Sequence, residues 1–295
     1  LTALNSTYML TLEAFENKLR SKNQFVSSGS GNTYSSQELE KRLRKAIKEL
    51  ESGEKSAKET VKYFPRGDIR NAYEEVLKTE WFDLVSERFG YEPDSKDFYL
   101  EHKPSKKRTT LPYQGYKLRI TAQPQEARAV AEAVLKPLRQ MGEFHKVVPN
   151  VEKLQGMQGG SQEGKFITVY PEVSEEKVLQ NGKQRFTQGS RSDLNEVSVN
   201  ANYRSTEAVI KNIEKALKQS SVSLNGGSIP PTDVRYKNTR ISYRYGIVYQ
   251  SKGVFLNGGT PSGKLVDVNG NLVEDNRSSR GADNWRSLNG RKELR

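Results

Sequence analysis

Lys117 and Arg119 stand two residues apart in Lys117–Ala122, a stretch that alternates polar and apolar side chains. In an extended strand alternate residues share a face, so Lys117, Arg119 and Thr121 point one way while Leu118, Ile120 and Ala122 point into a core. Arg240, Ser242 and Arg244 repeat the pattern on a second candidate strand, with Ile241, Tyr243 and Tyr245 opposite. Guanidinium groups aligned in this way suit bidentate binding of phosphate. A solvated strand face is the competing reading of both runs.

In Phe144–Val148, alternation sets Lys146 beside Phe144 and Val148 and opposite His145 and Val147. Apolar surroundings or neighbouring cations push a lysine below its free pKa of about 10.4, and the neutral amine is then a base near neutral pH. A lysine snorkelling at a strand end is the alternative. Gly159, Gly160 and Gly164 precede Lys165 in a loop whose amides could approach an anion closely, without the Gly-Lys-Ser/Thr ending of a nucleotide-binding phosphate loop.

The elements that must position these residues are of two kinds. The N-terminal hundred residues read as helices: a stripe from Tyr8 to Leu19, a second from Leu39 to Leu50 behind the capping pair Ser35 and Glu38, and a third from Ile69 to Val85 with Gly90 as its cap. The Gly/Ser-rich run Ser27–Ser36 reads as a linker. The basic, proline-containing connector His102–Gly115 marks a boundary, giving a helical region over 1–103 and an α+β domain over 104–295.

Past that boundary a strand over 117–122 leads into a helix on Ala127, Val130, Val134, Leu138 and Met141, in which Pro137 predicts a kink or early stop. Short strands follow at 144–148 and 165–170. A helix carries Val209, Ile213 and Leu217, and Arg240–Tyr249 is the longest strand candidate. Asn269-Gly270, between Val266 and Leu272, signals a hairpin. The fold class expected is α+β, a mixed or antiparallel sheet flanked by helices.

Composition narrows the chemistry. The 295 residues carry 48 Lys and Arg against 36 Asp and Glu, a net charge of +12, which favours acidic partners such as phosphate, nucleic acid or anionic lipid. No nucleic-acid motif or aromatic stacking set accompanies the charge, so nucleic acid is not the expected partner. No run approaches the roughly 18 consecutive apolar residues of a membrane span. With no cysteine and only His102 and His145, no metal site and no cofactor are expected. The chain begins on Leu1, so a further N-terminal segment is expected ahead of it.

The ordered set Tyr116-Lys-Leu-Arg-Ile-Thr121, Gly164-Lys-Phe-Ile-Thr-Val-Tyr-Pro171, Pro231-Thr-Asp-Val-Arg-Tyr236 and Ile241-Ser-Tyr-Arg-Tyr-Gly246 resembles a known series. It is similar to the lyase domains of class III lanthionine synthetases and to the phosphothreonine lyase effectors. Above all it resembles the HopA family of type III secreted effectors, over about Tyr113 to Trp285. The resemblance implies a phosphothreonine-lyase-like fold and β-elimination of phosphate, in which a lysine removes the Cα proton and a histidine protonates the departing oxygen.

By position, Lys146 matches the base, Tyr170 a site tyrosine, and Lys117 and Arg244 cationic site residues; Lys165 matches the lysine of the synthetase segment. Arg119 stands where the lyases have their histidine, and a guanidinium with a pKa above about 12 holds phosphate without protonating it. The catalytic residues implied are therefore Lys146 and Tyr170, with Tyr243 a second candidate acid, and the phosphate-binding residues Lys117, Arg119, Lys165 and Arg244. The stretch Glu172–Tyr203, with Lys177, Lys183, Arg185 and Arg191, reads as an insertion that covers the site or forms a solvated helix.

The partners implied are a phosphorylated host protein or peptide and a secretion chaperone for the N-terminal segment, with delivery through a type III system into the host cytoplasm. A stand-alone lyase in lanthipeptide-type maturation and a catalytically inactive host-protein-binding effector are the alternatives.

Overall fold

The computed structural model describes residues 79–96, 98–104, 114–172, 202–248, 264–266, 272–274 and 294. The expected helices at 8–19 and 39–50, the linker, and the four cations of the 172–203 stretch lie outside them. The fold is α+β. Seven strands form one sheet: β1 (Tyr91–Pro93), β2 (Leu100–His102), β3 (Gln114–Ile120), β4 (Phe144–Val147), β5 (Ile167–Tyr170), β6 (Val234–Arg235) and β7 (Ile241–Ile247). Their spatial order is β1-β2-β4-β5-β3-β7-β6, and every neighbouring pair is antiparallel. A separate hairpin pairs β8 (Lys264–Val266) with β9 (Leu272–Glu274), where the Asn-Gly signal placed it.

Residues facing each other across an antiparallel pair point to the same side, so the register sorts the sheet into two faces. One row runs Tyr91, His102, His145, Val169, Leu118, Tyr243 and Val234; a second runs Pro93, Leu100, Val147, Ile167, Ile120 and Ile241. This is the core face. Leu118, Ile120, Val147, Ile167, Val169 and Ile241 are fully buried on it. Burying a side chain of that size contributes about 1.5–3 kcal/mol relative to exposure.

The helices α1 (Ala127–Met141) and α3 (Tyr203–Lys218) pack against each other, and α3 also packs on β3. In α1 the buried residues Ala127, Val130, Ala131, Val134, Leu135 and Leu138 form the apolar stripe that the spacing predicts. The helix runs through Pro137, and Gly142, at φ 71°, ends it by donating to Leu138 and Arg139 carbonyls. Pro137 therefore does not stop the helix early. A short helix α2 (Val151–Gly156) is capped by Asn150, whose side chain accepts from Lys153 N.

Asn202 opens α3 and ties it to the sheet. Its side chain accepts from Tyr116 N and donates to the carbonyls of Tyr116 and Pro171. A Cβ on Gly115 would lie 2.4 Å from Asn202 Oδ1, so the strand needs glycine at that point.

Of the helix expected from Ile69 to Val85, residues 69–78 lie outside the described residues and Thr79 is helical, but the helix does not reach Val85: from Trp81 on, the chain makes two 3-10 turns, Phe82–Leu84 and Glu87–Phe89, the second closed by Gly90 at φ 79°. Trp81 Nε1 donates to Val148 O and its ring meets Phe166 edge-on, while Arg128 of α1 pairs with Asp83, so tertiary contacts override the helical spacing. Beyond these turns, β1 and β2 fall within the stretch read as helical and belong to the same sheet as β3. The connector expected to divide two regions leads from β2 to β3 within one sheet.

Candidate functional site

The opposite face is polar. Across it run Glu92, Glu101, Lys146, Thr168, Arg119, Ser242 and Arg235, and beside them Phe144, Tyr170, Lys117 and Arg244. Lys117, Arg119, Lys146, Tyr170 and Arg244, far apart in sequence, thus share one sheet face. Lys165 joins them from the loop before β5.

Arg119 holds the centre. Its side chain is buried, with 8% exposure, and neither Nε nor Nη1 has a hydrogen-bond partner among the described residues. A buried charge without a partner is costly, and structures that keep one supply a counter-ion or a ligand. Around it stand more cations: Lys117 is paired in register with Arg244, and both Arg119 and Arg244 depress Lys165 electrostatically. Lys117 Nζ sits 6.0 Å from the Tyr170 ring centroid, and Tyr170 stacks on Phe144 at 5.0 Å. Among the anionic groups at this side, Asp233 Oδ2 accepts from Ser242 Oγ at 3.0 Å.

Lys146 does not have the apolar surroundings that alternation suggested. Its Nζ lies 2.6 Å from Glu101 Oε1 and 3.7 Å from Asp94 Oδ2. Burial works against its charge, but the Glu101 hydrogen bond and the nearby Tyr170, Glu101 and Asp94 outweigh it and raise the pKa. The expected downward shift is reversed. Asp94 is fixed in turn by three backbone N–H groups, from Lys96, Phe98 and Tyr99.

Lys165 behaves in the opposite way. Gly164, at φ 78° and with Ser228 O 2.5 Å from where a Cβ would be, bends the chain so tightly that only glycine fits. Lys165 Nζ then donates to Gln162 Oε1 at 3.2 Å, and Tyr99 donates its hydroxyl to the same oxygen at 3.3 Å. Burial, Arg119 and Arg244 lower the Lys165 pKa against an opposing contribution from Asp233. Burial likewise pushes the Tyr99 phenol up to about 12, with Arg119 opposing and Tyr170 and Asp94 adding. Sequence spacing held no signal for Tyr99 or Gln162.

Three further expectations are corrected. The amides of Gly159 and Gly160 are not offered to an outside anion, because Gly159 N donates to Glu163 and Gly160 N to Met157 O. Arg240 is fully buried and consumed by structure: it donates to Glu126, and to the carbonyls of Ser223, Thr121 and Asn225. Tyr243 points into the core against Tyr116, away from the polar face. His145 also belongs to the core, where Nε2 meets Tyr91 OH at 2.8 Å and Nδ1 meets Glu143 O at 2.7 Å.

Fold and site together define an α+β protein in which Lys117, Arg119, Lys146, Tyr170 and Arg244 share one face of an antiparallel sheet. A family described as the RamC N-terminal domain matches residues 85–187, roughly a third of the chain. That match is not to the HopA family, which the sequence resemblance had put first. No match is found among the curated proteins.

Among solved structures, the chain is similar to the phosphothreonine lyase SpvC, an effector protein from Salmonella, at 16% identity and a TM-score of 0.38, over 68% of this chain and 89% of that one. It is also similar to the Chromobacterium violaceum VirA phosphothreonine lyase effector, at 18% identity and 0.36, over 71% and 94%. A third is the type III effector and phosphothreonine lyase OspF from Shigella flexneri, at 13% and 0.34, over 68% and 90%. Among the described residues no helix is long and apolar enough to cross a membrane, and no acidic or histidine cluster suits a metal ion.

Proposed function

We propose that the polar sheet face binds the phosphate of a phosphorylated serine or threonine in a peptide or protein. The observation that carries this reading is Arg119, a buried guanidinium with two N–H-bearing nitrogens that have no partner among the described residues, standing among Lys117, Lys165 and Arg244. A phosphate dianion would satisfy these donors, and the burial of Arg119 strengthens such contacts. Within this reading the protein is a phosphothreonine-lyase-like effector of HopA type, delivered by a type III system and acting on a phosphorylated host protein. Support for that finer assignment comes from the ordered motifs around Lys117, Lys165, Tyr170 and Arg244.

The test is calorimetric titration with a phosphothreonine peptide and its unphosphorylated twin. Hydrogen bonds to charged groups contribute about 1.5–3 kcal/mol each, so Arg119→Met should weaken binding of the phosphopeptide roughly ten- to a hundred-fold. Equal binding of both peptides, or an unaffected variant, would remove the reading. A second reading, phosphate binding without elimination, is favoured by two observations. Arg119 stands where the proton-donating histidine would be, and Lys146 is held as an ammonium by Glu101. Incubation of the phosphopeptide and a search for the mass loss of phosphate elimination separates the two.

A further inference from the structure

The two lysines near Arg119's strand have opposite surroundings: Lys146 is paired with carboxylates, and Lys165 with a neutral amide. Lys146 lies on β4, two strand spacings or roughly 10 Å from Arg119's strand, and its ammonium is clamped between Glu101 and Asp94. An amine held protonated in this way has no lone pair to offer. Lys165 is half-buried and has no carboxylate within ion-pair distance among the described residues; its described partner is the neutral amide oxygen of Gln162. Burial disfavours its charge, as do Arg119 and Arg244, against Asp233, which favours it but is itself bonded to Ser242. Tyr99 shares Gln162 with it and stays a neutral phenol. The tight turn at Gly164, packed on Ser228 and Pro230, fixes where its chain emerges.

We propose that Lys165, and not Lys146, is the proton-transferring amine of this site, taking the Cα proton of a phosphorylated threonine or serine whose phosphate rests on Arg119. The proposal rests on the phosphate-binding reading above. In the step, the Cα–H bond breaks and its electron pair becomes the Cα–Cβ π bond. The Cβ–O bond breaks and its pair leaves on the phosphate oxygen. The proton now carried by Lys165 Nζ passes to that oxygen, so the lysine ends neutral and the products are a dehydroamino residue and hydrogen phosphate.

One group thus does what a separate base and acid would do, which suits a site whose central residue is an arginine unable to give up a proton. It requires a syn arrangement, with Cα–H and Cβ–O on the side of the residue that faces Lys165. Arg119, Arg244 and Lys117 balance the incoming dianion, so the ligand's own charge does not simply restore the proton to Lys165.

The experiment uses the full chain and has three arms. In the first, a phosphothreonine peptide is titrated into wild type and Lys165→Arg by calorimetry. In the second, both proteins are incubated with the peptide and the eliminated product is counted by mass spectrometry across pH 6–10. In the third, the amines of wild type are acetylated over the same pH range without peptide, and labelling is mapped residue by residue.

The expected result is that Lys165→Arg keeps binding within a few-fold and loses elimination at least a hundred-fold. Lys165 should also label at a lower pH than Lys146 and than exposed Lys211. Elimination that survives Lys165→Arg, binding without elimination in wild type, or labelling of Lys146 ahead of Lys165 would each overturn the proposal while leaving the phosphate reading intact. Failure of wild type to bind the peptide at all would instead remove the reading beneath it.

Discussion

Arg240 and Arg119 are both buried on the same side of the sheet, at neighbouring strands, yet their surroundings differ in kind. At the corner where β7 begins, Arg240 is saturated: Glu126 takes two of its N–H groups and three backbone carbonyls take the rest. In the middle of the face Arg119 has two nitrogens without a partner among the described residues and further cations nearby. A folding unit gains from the first arrangement and is penalised by the second. The difference teaches where the chain uses charge to hold itself together and where it holds charge ready for something else.

The sharpest way to break that comparison is at Arg240. Replacing it with Ala leaves the Glu126 carboxylate and several carbonyls stranded, and urea denaturation should show a loss of about 3–5 kcal/mol. Burial opposes ionisation of Glu126, but the Arg240 and Gln123 hydrogen bonds prevail and lower its pKa. The stability this pair adds is accordingly present above the unfolded carboxylate range and lost as pH falls through the folded value. A loss no larger than that of an exposed arginine would mean that the corner is not structural.

The core face supplies the next effect. Burial drives His145 down to about 3, with the Glu143 backbone bond opposing and His102 and Arg139 adding, so the folded protein holds it neutral. Because the unfolded chain binds that proton near pH 6.5, stability is fully present above that pH. It should then fall as pH drops toward 3, by about 1.4 kcal/mol per pH unit. Denaturation midpoints of wild type and His145→Gln between pH 7 and 4 check this, and the variant should lack that share of the slope. A smaller effect is expected at Lys146. Glu101→Gln removes the nearer carboxylate and should lower the Lys146 pKa, read from the pH at which its amine becomes reactive; an unchanged midpoint would dissociate Lys146 from Glu101.

The alternating runs at 117–122 and 240–249 were legible because strand period alone decides which residues share a face, and the antiparallel register kept Lys117, Arg119 and Arg244 together. The helix at 127–141 was legible for the same kind of reason. What spacing did not reveal lies across strands. Glu101 and Asp94 sit in a hairpin that helical spacing upstream obscured, and they reach Lys146 only through the β2–β4 pairing. The fate of Arg240 depends on Glu126 and on loop carbonyls that no periodicity brings to mind. Tyr99 and Gln162 meet Lys165 through two loops, where contacts follow from the sheet order and not from local sequence.

The most direct test of the contrast between the two arginines is the urea stability of wild type and Arg119→Met, each with and without inorganic phosphate. A ligand at a hundred times its dissociation constant adds about 2.7 kcal/mol to a protein that binds it only when folded. Without phosphate the variant should be at least as stable as wild type, since a buried charge with no partner among the described residues is gone, and phosphate should stabilise wild type by at least about 1 kcal/mol more than the variant. A variant several kcal/mol less stable, with wild type indifferent to phosphate, would contradict this and make Arg119 a structural residue like Arg240.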